Sequence, residues 1–179
     1  MMRIRKHTKF YWPAEWETHQ ATWLAWPFDE HLWKQDTWAA QKEFIALCQA
    51  ILEDEPLELL VPDFEVQTHV QKILGQKVKI HIFSYADSWL RDTGPIFLKD
   101  PETQLLHAAC FKNNGWGGKY FYPNDLGLAQ RIAQQAQVRL EQYDWVLEGG
   151  SLEVDGQGLL LTTEAVSYTH LTLPTKRIV

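Results

Sequence analysis

A chain of 179 residues, 45% apolar and 22% charged, has room for one domain with a core and the composition of a globular protein. Its net charge of -6 argues against a nucleic acid partner and suits a small cation. No run approaches the ~20 apolar residues of a membrane-spanning helix, so no membrane role is expected.

The basic start, Met1 to His7, leads into no apolar signal region. Residues 12–26 are rich in aromatics and Pro and read as an extended segment followed by a strand. Asp36 or Thr37 can cap a helix running to about Glu53, with Phe44, Leu47, Cys48 and Ile51 on one face. Pro56 ends it, and Leu57 to Val61 reads as a short buried strand. Asp63 caps a second helix with Val66, Val70, Ile73 and Leu74 on one side, closed by Gly75. Val78, Ile80 and Ile82 alternate as in a strand. Ile96–Leu98 and Leu105–Phe111 read as two strands joined at Asp100-Pro101, and Asn113 to Gly118 as a glycine-rich loop. A third helix is expected over Asp125–Gln137, using Leu128, Ile132 and Ala136. Strands follow near Val138–Leu147, Leu152–Val154 and Leu159–Thr162, the last two joined by a turn at Asp155-Gly156.

Two stretches share the pattern Trp-x-x-acid-x-Gly ahead of an alternating strand. They are Trp89 to Leu98, with Asp92, and Trp145 to Val154, with Glu148. Such a repeat suggests supersecondary units that aim two carboxylates at one centre.

Three segments can carry chemistry. In Asp87-Ser88-Trp89-Leu90-Arg91-Asp92, a carboxylate can accept the planar N–H fork of a guanidinium, with Trp89 against a cation or an alkyl chain. An internal Asp92–Arg91 surface pair fits the same residues. In Glu148-Gly149-Gly150, a carboxylate beside two glycines can orient a histidine, or can be a solvated turn. Asn114 to Tyr120 lacks the residues of a phosphate loop and reads as the tight wall of a pocket, with Trp116 in it. Cys110 and His107 stand three apart in a strand, so they face opposite ways. Cys110 and Cys48, the two cysteines, lie in apolar settings and read as inert thiols. Neither forms a C-x-x-C, which points to a reducing compartment, the cytoplasm. No His, Cys and acid spacing suits a metal, and no cofactor is expected.

At these residues the chain resembles the agmatine deiminase family, which is related to bacterial-type peptidylarginine deiminases. The resemblance rests on Pro13 to His19, Thr22 to Pro27, Asp87 to Pro95, Asn114 to Tyr120 and Leu147 to Gly150, in family order. It implies an α/β fold: part of a five-bladed α/β propeller (pentein) of ββαβ-like repeats, cut after about two to three blades. It also implies hydrolysis of agmatine to N-carbamoylputrescine and ammonia in putrescine biosynthesis, through a covalent Cys-amidino intermediate and without a metal. Carried over residue by residue, Asp92 matches the guanidinium-binding aspartate and Trp89 the tryptophan against the alkyl chain. Glu148 matches the glutamate that supports the catalytic His, while Asp87 and Trp116 belong to the pocket wall. The family's His and nucleophilic Cys have no counterpart here, so this chain is expected to be inactive alone. Residues 1–164 are expected to form the propeller part and 165–179 a foreign or disordered tail. The full-length parent has room to be a homo-oligomer. A deiminase of arginine or peptidyl-arginine, and a non-enzymatic Trp-rich binding module, are the alternatives.

Overall fold

The computed structural model describes residues 10–120 and 122–162. The expected tail at 165–179 lies outside them. The described residues form two compact units. One takes in Thr18–Leu90 with Tyr122–Leu126, and the other takes in 10–17, 91–120 and 127–162.

The first unit is built on a parallel sheet of β1 (Thr22–Ala25), β2 (Leu57–Val61) and β3 (Val78–Ile82), in that spatial order. Its connections carry α1 (Glu30–Trp33), α2 (Thr37–Asp54) and α3 (Phe64–Leu74). Leu57, Leu59, Val61 and Val78 meet Cys48 of α2 and Val70 and Leu74 of α3 in one apolar cluster closed by Trp26. The opposite face holds a polar group. The Trp23 ring stacks on His81 at 5.2 Å, His81 bonds Glu58, and Lys79 pairs with Glu58 at 3.1 Å.

The three strands expected in this unit all form, and α3 begins and ends as expected. Asp63 accepts from Val66 N at 2.8 Å, and Gly75 leaves the helix at φ +76°, a region that favours glycine. Asp63→Ala should lower stability by about 0.5–2 kcal/mol. Urea unfolding of the pair of proteins measures this.

Other expectations are corrected. Asp36 makes no side-chain cap, because a 3-10 turn over Lys34–Asp36 already leads into α2. Leu47 is 48% exposed; Ile45 and Leu52 take its place beside Phe44, Cys48 and Ile51. Ile82, the last residue of β3, is exposed, so the strand's apolar face ends at Ile80, while on the opposite face His81 is buried against Glu58. The turn α1, whose N-cap Asp29 accepts from His31 N at 2.7 Å, was not anticipated.

The second unit contains α4 (Leu90–Thr93, of which Arg91 onward belongs here), β4 (Ile96–Lys99), β5 (Leu106–Lys112), the single turn α5 (Gly115–Gly118), α6 (Leu128–Gln135) and β6 (Arg139–Val146). A separate antiparallel pair follows, β7 (Leu152–Val154) and β8 (Leu160–Thr162). The hairpin β4–β5 is antiparallel, and β6 joins β5 in parallel after α6, which makes one ββαβ unit. One face packs Ile96, Ala109, Leu147 and Leu152, and the other packs Ala108 and Cys110 against Ala129 and Ala133 of α6. The expected helix over 125–137 starts later, at Leu128. Gly127, at φ +70°, breaks the chain before it, and Asp125 is a buried residue of a separate 3-10 turn in the first unit. Among the described residues no helix is long and apolar enough to cross a membrane.

Candidate active site

In the second unit, the turn α4 presents Asp92 four residues before β4. Each of its carboxylate oxygens accepts one N–H. Trp116 Nε1 donates to Oδ2 at 3.0 Å, and Gly150 N donates to Oδ1 at 2.8 Å. A carboxylate offers about four acceptor positions, so each oxygen has capacity for a second donor. Arg91 turns elsewhere. Its Nη1 reaches Glu15 at 2.7 Å, and its guanidinium lies 5.9 Å from the Trp12 ring centre. The alternative of an internal Asp92–Arg91 pair is thereby replaced by Arg91–Glu15.

Trp116 reaches Asp92 from a tight turn. Asn114 Oδ1 accepts from Gly117 N at 2.9 Å, and Asn113 Oδ1 accepts from Gly115 N at 2.7 Å. Gly115, Gly117 and Gly118 all have positive φ, and so does Trp116 at φ +56°. For a tryptophan this left-handed backbone costs roughly 1–2 kcal/mol, an outlay of the kind found where a side chain must be aimed.

Glu148 is 7% exposed, which rules out a solvated turn. The glycines after it have a steric cause. A Cβ on Gly149 would stand 2.2 Å from the Arg91 carbonyl oxygen, and one on Gly150 would stand 2.3 Å from Asp92 Oδ1. The two acid-bearing turns of the repeat therefore touch, and only glycine permits that approach. Both acids stand four residues ahead of a strand, Asp92 before Ile96 and Glu148 before Leu152. The likeness does not extend to the tryptophans: Trp145 packs its ring 4.8 Å from Phe111.

Asp87 and Trp89 belong to the first unit, where Trp89 Nε1 donates to Asp87 Oδ2 at 2.8 Å. Trp33 Nε1 donates to Asp87 Oδ1 at 3.1 Å. Sequence reasoning passed over Trp33, because nothing local links it to a residue 54 positions away.

Both cysteines are buried. Burial pushes the Cys110 thiol up to about 11 and the Cys48 thiol up to about 12, far from the thiolate a nucleophile needs. His107 is also buried, with Nδ1 at 3.3 Å from Glu141 and its ring centre 4.0 Å from that of Phe10. Among the described residues no three His, Cys, Asp or Glu side chains gather as a metal site.

The agmatine deiminase of Pseudomonas aeruginosa (strain LESB58) is 34% identical over 167 residues, which cover 90% of this chain and 45% of that protein. The agmatine deiminase of Stutzerimonas stutzeri is 33% identical over 161 residues, covering 87% and 44%. The solved agmatine deiminase of Enterococcus faecalis superposes with a TM-score of 0.80 at 30% identity, covering 87% of this chain and 44% of that one. The chain thus spans less than half the length of the curated relatives it matches. Its α/β architecture is that of the deiminases, the α/β-propeller (pentein) fold implied by the motifs. The profile of the family described as Porphyromonas-type peptidyl-arginine deiminase matches residues 11–171, and the chain belongs to that family.

Proposed function

We propose that this chain is part of a deiminase that hydrolyses the guanidinium of agmatine to N-carbamoylputrescine and ammonia, in the cytoplasm and in polyamine synthesis. The observation that carries the reading is the Asp92 carboxylate, oriented by Trp116 Nε1 on one oxygen and Gly150 N on the other, which leaves each oxygen the capacity to accept a second donor. Paired, coplanar acceptors of this kind suit the N–H fork of a guanidinium. Orienting it is the larger part of the task, since a guanidinium is a poor electrophile until a nucleophile is aimed at its central carbon. Trp116 fixes the carboxylate plane in this reading. Glu148, buried beside the same turn, is the acid that holds a catalytic histidine. The relatives named agmatine deiminase support the choice of substrate.

A second reading has the family description behind it: peptidyl-arginine as substrate. Free arginine fits less well. Its carboxylate calls for a positioned cation, and Arg91 is engaged with Glu15.

Covalent attack needs a thiolate, and both thiols here are held protonated by burial. The 179-residue chain alone should therefore release no ammonia from agmatine, whereas the product of the complete native reading frame should. An enzyme-coupled ammonia assay of the two proteins side by side makes the test. A complete protein that is silent on agmatine and active on peptidyl-arginine would transfer the assignment to the second reading. Turnover by the chain alone would make one of its cysteines the nucleophile.

A further inference from the structure

Two asparagines stand ahead of the turn that carries Trp116, and the second of them precedes a glycine: Asn113-Asn114-Gly115. An Asn-Gly pair exposes a side-chain amide to attack by its own backbone, because glycine has no Cβ and its nitrogen can come close to the preceding side chain. In that reaction the Gly115 nitrogen loses its proton and bonds to Asn114 Cγ, and the side-chain nitrogen leaves as ammonia. The product is a succinimide ring, which water opens. Opening at Cγ leaves aspartate. Opening at the main-chain carbonyl leaves isoaspartate, with the chain rerouted through Cγ. The sum is one water in and one ammonia out, with nothing oxidised or reduced.

The fold holds the two reacting groups apart. The attacking group, Gly115 N, donates to Asn113 Oδ1 at 2.7 Å, and Gly115 is buried. The group under attack is held as well, since Asn114 Oδ1 accepts from Gly117 N at 2.9 Å. Asn114 has φ -116° and ψ 15°. At this ψ the Gly115 nitrogen is turned away from the Asn114 Cβ, whereas ring closure needs both on one side of the Cα–C bond. Two backbone bonds lock the turn: Gly118 N donates to Asn114 O at 2.8 Å, and Tyr120 N donates to Gly115 O at 2.9 Å. Asn114 therefore cannot rotate toward closure without unwinding the turn behind it.

We infer that Asn114-Gly115 is a latent deamidation site, which Asn113 keeps closed in the folded protein and whose conversion to isoaspartate uncouples Trp116 from Asp92. Asn113 is the guard because its oxygen occupies the proton that the attacking nitrogen must lose. The coupling follows from the backbone. Trp116 Nε1 reaches Asp92 Oδ2 at 3.0 Å from φ +56°, two residues after Asn114. Isoaspartate lengthens the main chain by one carbon directly before Gly115, so the aim of the indole is lost. Aspartate at the same place keeps the chain and an acceptor for Gly117 N, and leaves the aim unchanged. All of these residues lie in the second unit, and the chemistry does not depend on which ligand Asp92 takes.

The test ages the protein of the complete reading frame at mildly alkaline pH, folded and in urea. Trypsin, cutting after Lys112 and Lys119, releases residues 113–119, whose mass and isoaspartate content report the reaction. Deamidation should run roughly 10-fold faster or more in urea. Folded Asn113→Ala should deamidate roughly 5-fold faster or more than the folded parent. Folded Asn113→Asp, which keeps an oxygen for Gly115 N, should stay at the parental rate. Equal rates in the folded and urea-treated parent overturn the protection, and a parental rate in Asn113→Ala removes Asn113 as its guard. If Asn113→Ala does not fold, hydrogen exchange of the Gly115 amide in the parent decides instead: exchange as fast as in an open chain removes the guard, and slow exchange upholds it. After ageing, the Trp116 side-chain indole N–H should exchange roughly tenfold faster in the isoaspartyl form than in the aspartyl form. Equal exchange in the two forms overturns the coupling to Asp92.

Discussion

Replacing Asp92 by alanine should lower kcat/KM for agmatine by roughly 10²- to 10³-fold in the protein of the complete reading frame. Truncating one member of a hydrogen-bonded charge pair costs about 2–5 kcal/mol, and each 1.4 kcal/mol is tenfold. Part of the loss would be structural, because Trp116 Nε1 and Gly150 N lose their acceptor. Asp92→Asn separates the two contributions. It keeps the size and one oxygen, so one of the two N–H groups retains a partner, but it removes the charge and half of the fork that matches a guanidinium. The Asn variant should melt within a few degrees of the parent and still lose most of the rate. Steady-state kinetics with thermal melts on the same samples make the comparison. Turnover within tenfold of the parent in Asp92→Ala would remove this carboxylate from the proposed chemistry.

Gly149→Ala should be among the most destabilising single-methyl additions in the chain. The added carbon would stand 2.2 Å from the Arg91 carbonyl oxygen, a backbone atom that cannot swing aside. Overpacking of this kind costs about 1–3 kcal/mol or more, and relief would require the turns at Arg91–Asp92 and Glu148–Gly150 to separate. Gly158→Ala is the control. It meets nothing within 4 Å and bears only the strain of φ +103°. Urea unfolding should rank Gly149→Ala below Gly158→Ala. The reverse order would mean that the two turns are not tightly apposed. Gly150→Ala behaves differently, because its added carbon meets a side-chain atom, Asp92 Oδ1 at 2.3 Å, which can rotate away. Its effect should fall on guanidine turnover more than on stability.

These predictions rest on contacts of unequal legibility. Leu57–Val61 and Val78–Ile82 were readable as strands, because short β-rich runs bounded by turn and capping residues respond to neighbours within a few positions. The second helix was readable for the same reason, since Asp63 and Gly75 act on the backbone beside them. The motif Trp-x-x-acid-x-Gly pointed to Asp92 and Glu148 as a pair, and the glycines that follow Glu148 were visible although their cause was not.

Local pattern failed where the environment came from elsewhere. Leu47 has the spacing of the buried face of α2, yet Ile45 and Leu52 take the contacts, because the direction of the sheet beneath decides which stripe is covered. Asp125 looked like a helix start but is spent on Ala86 N, 39 residues away.

The sequence by itself therefore determined the strands and the longer helices of both units, the family, and the acids and tryptophans worth suspecting. Those depend on residue type and on spacing within a few turns of chain. Tertiary structure alone decided what each suspect touches. Asp92 faces Trp116 and Gly150, Arg91 faces Glu15, and Asp87 grips Trp33 and Trp89. Apart from Asp87 and Trp89, these partners lie 24 to 76 positions apart, and hydrogen bonds over such separations follow from how the sheets bring the loops together, which no short window of sequence contains.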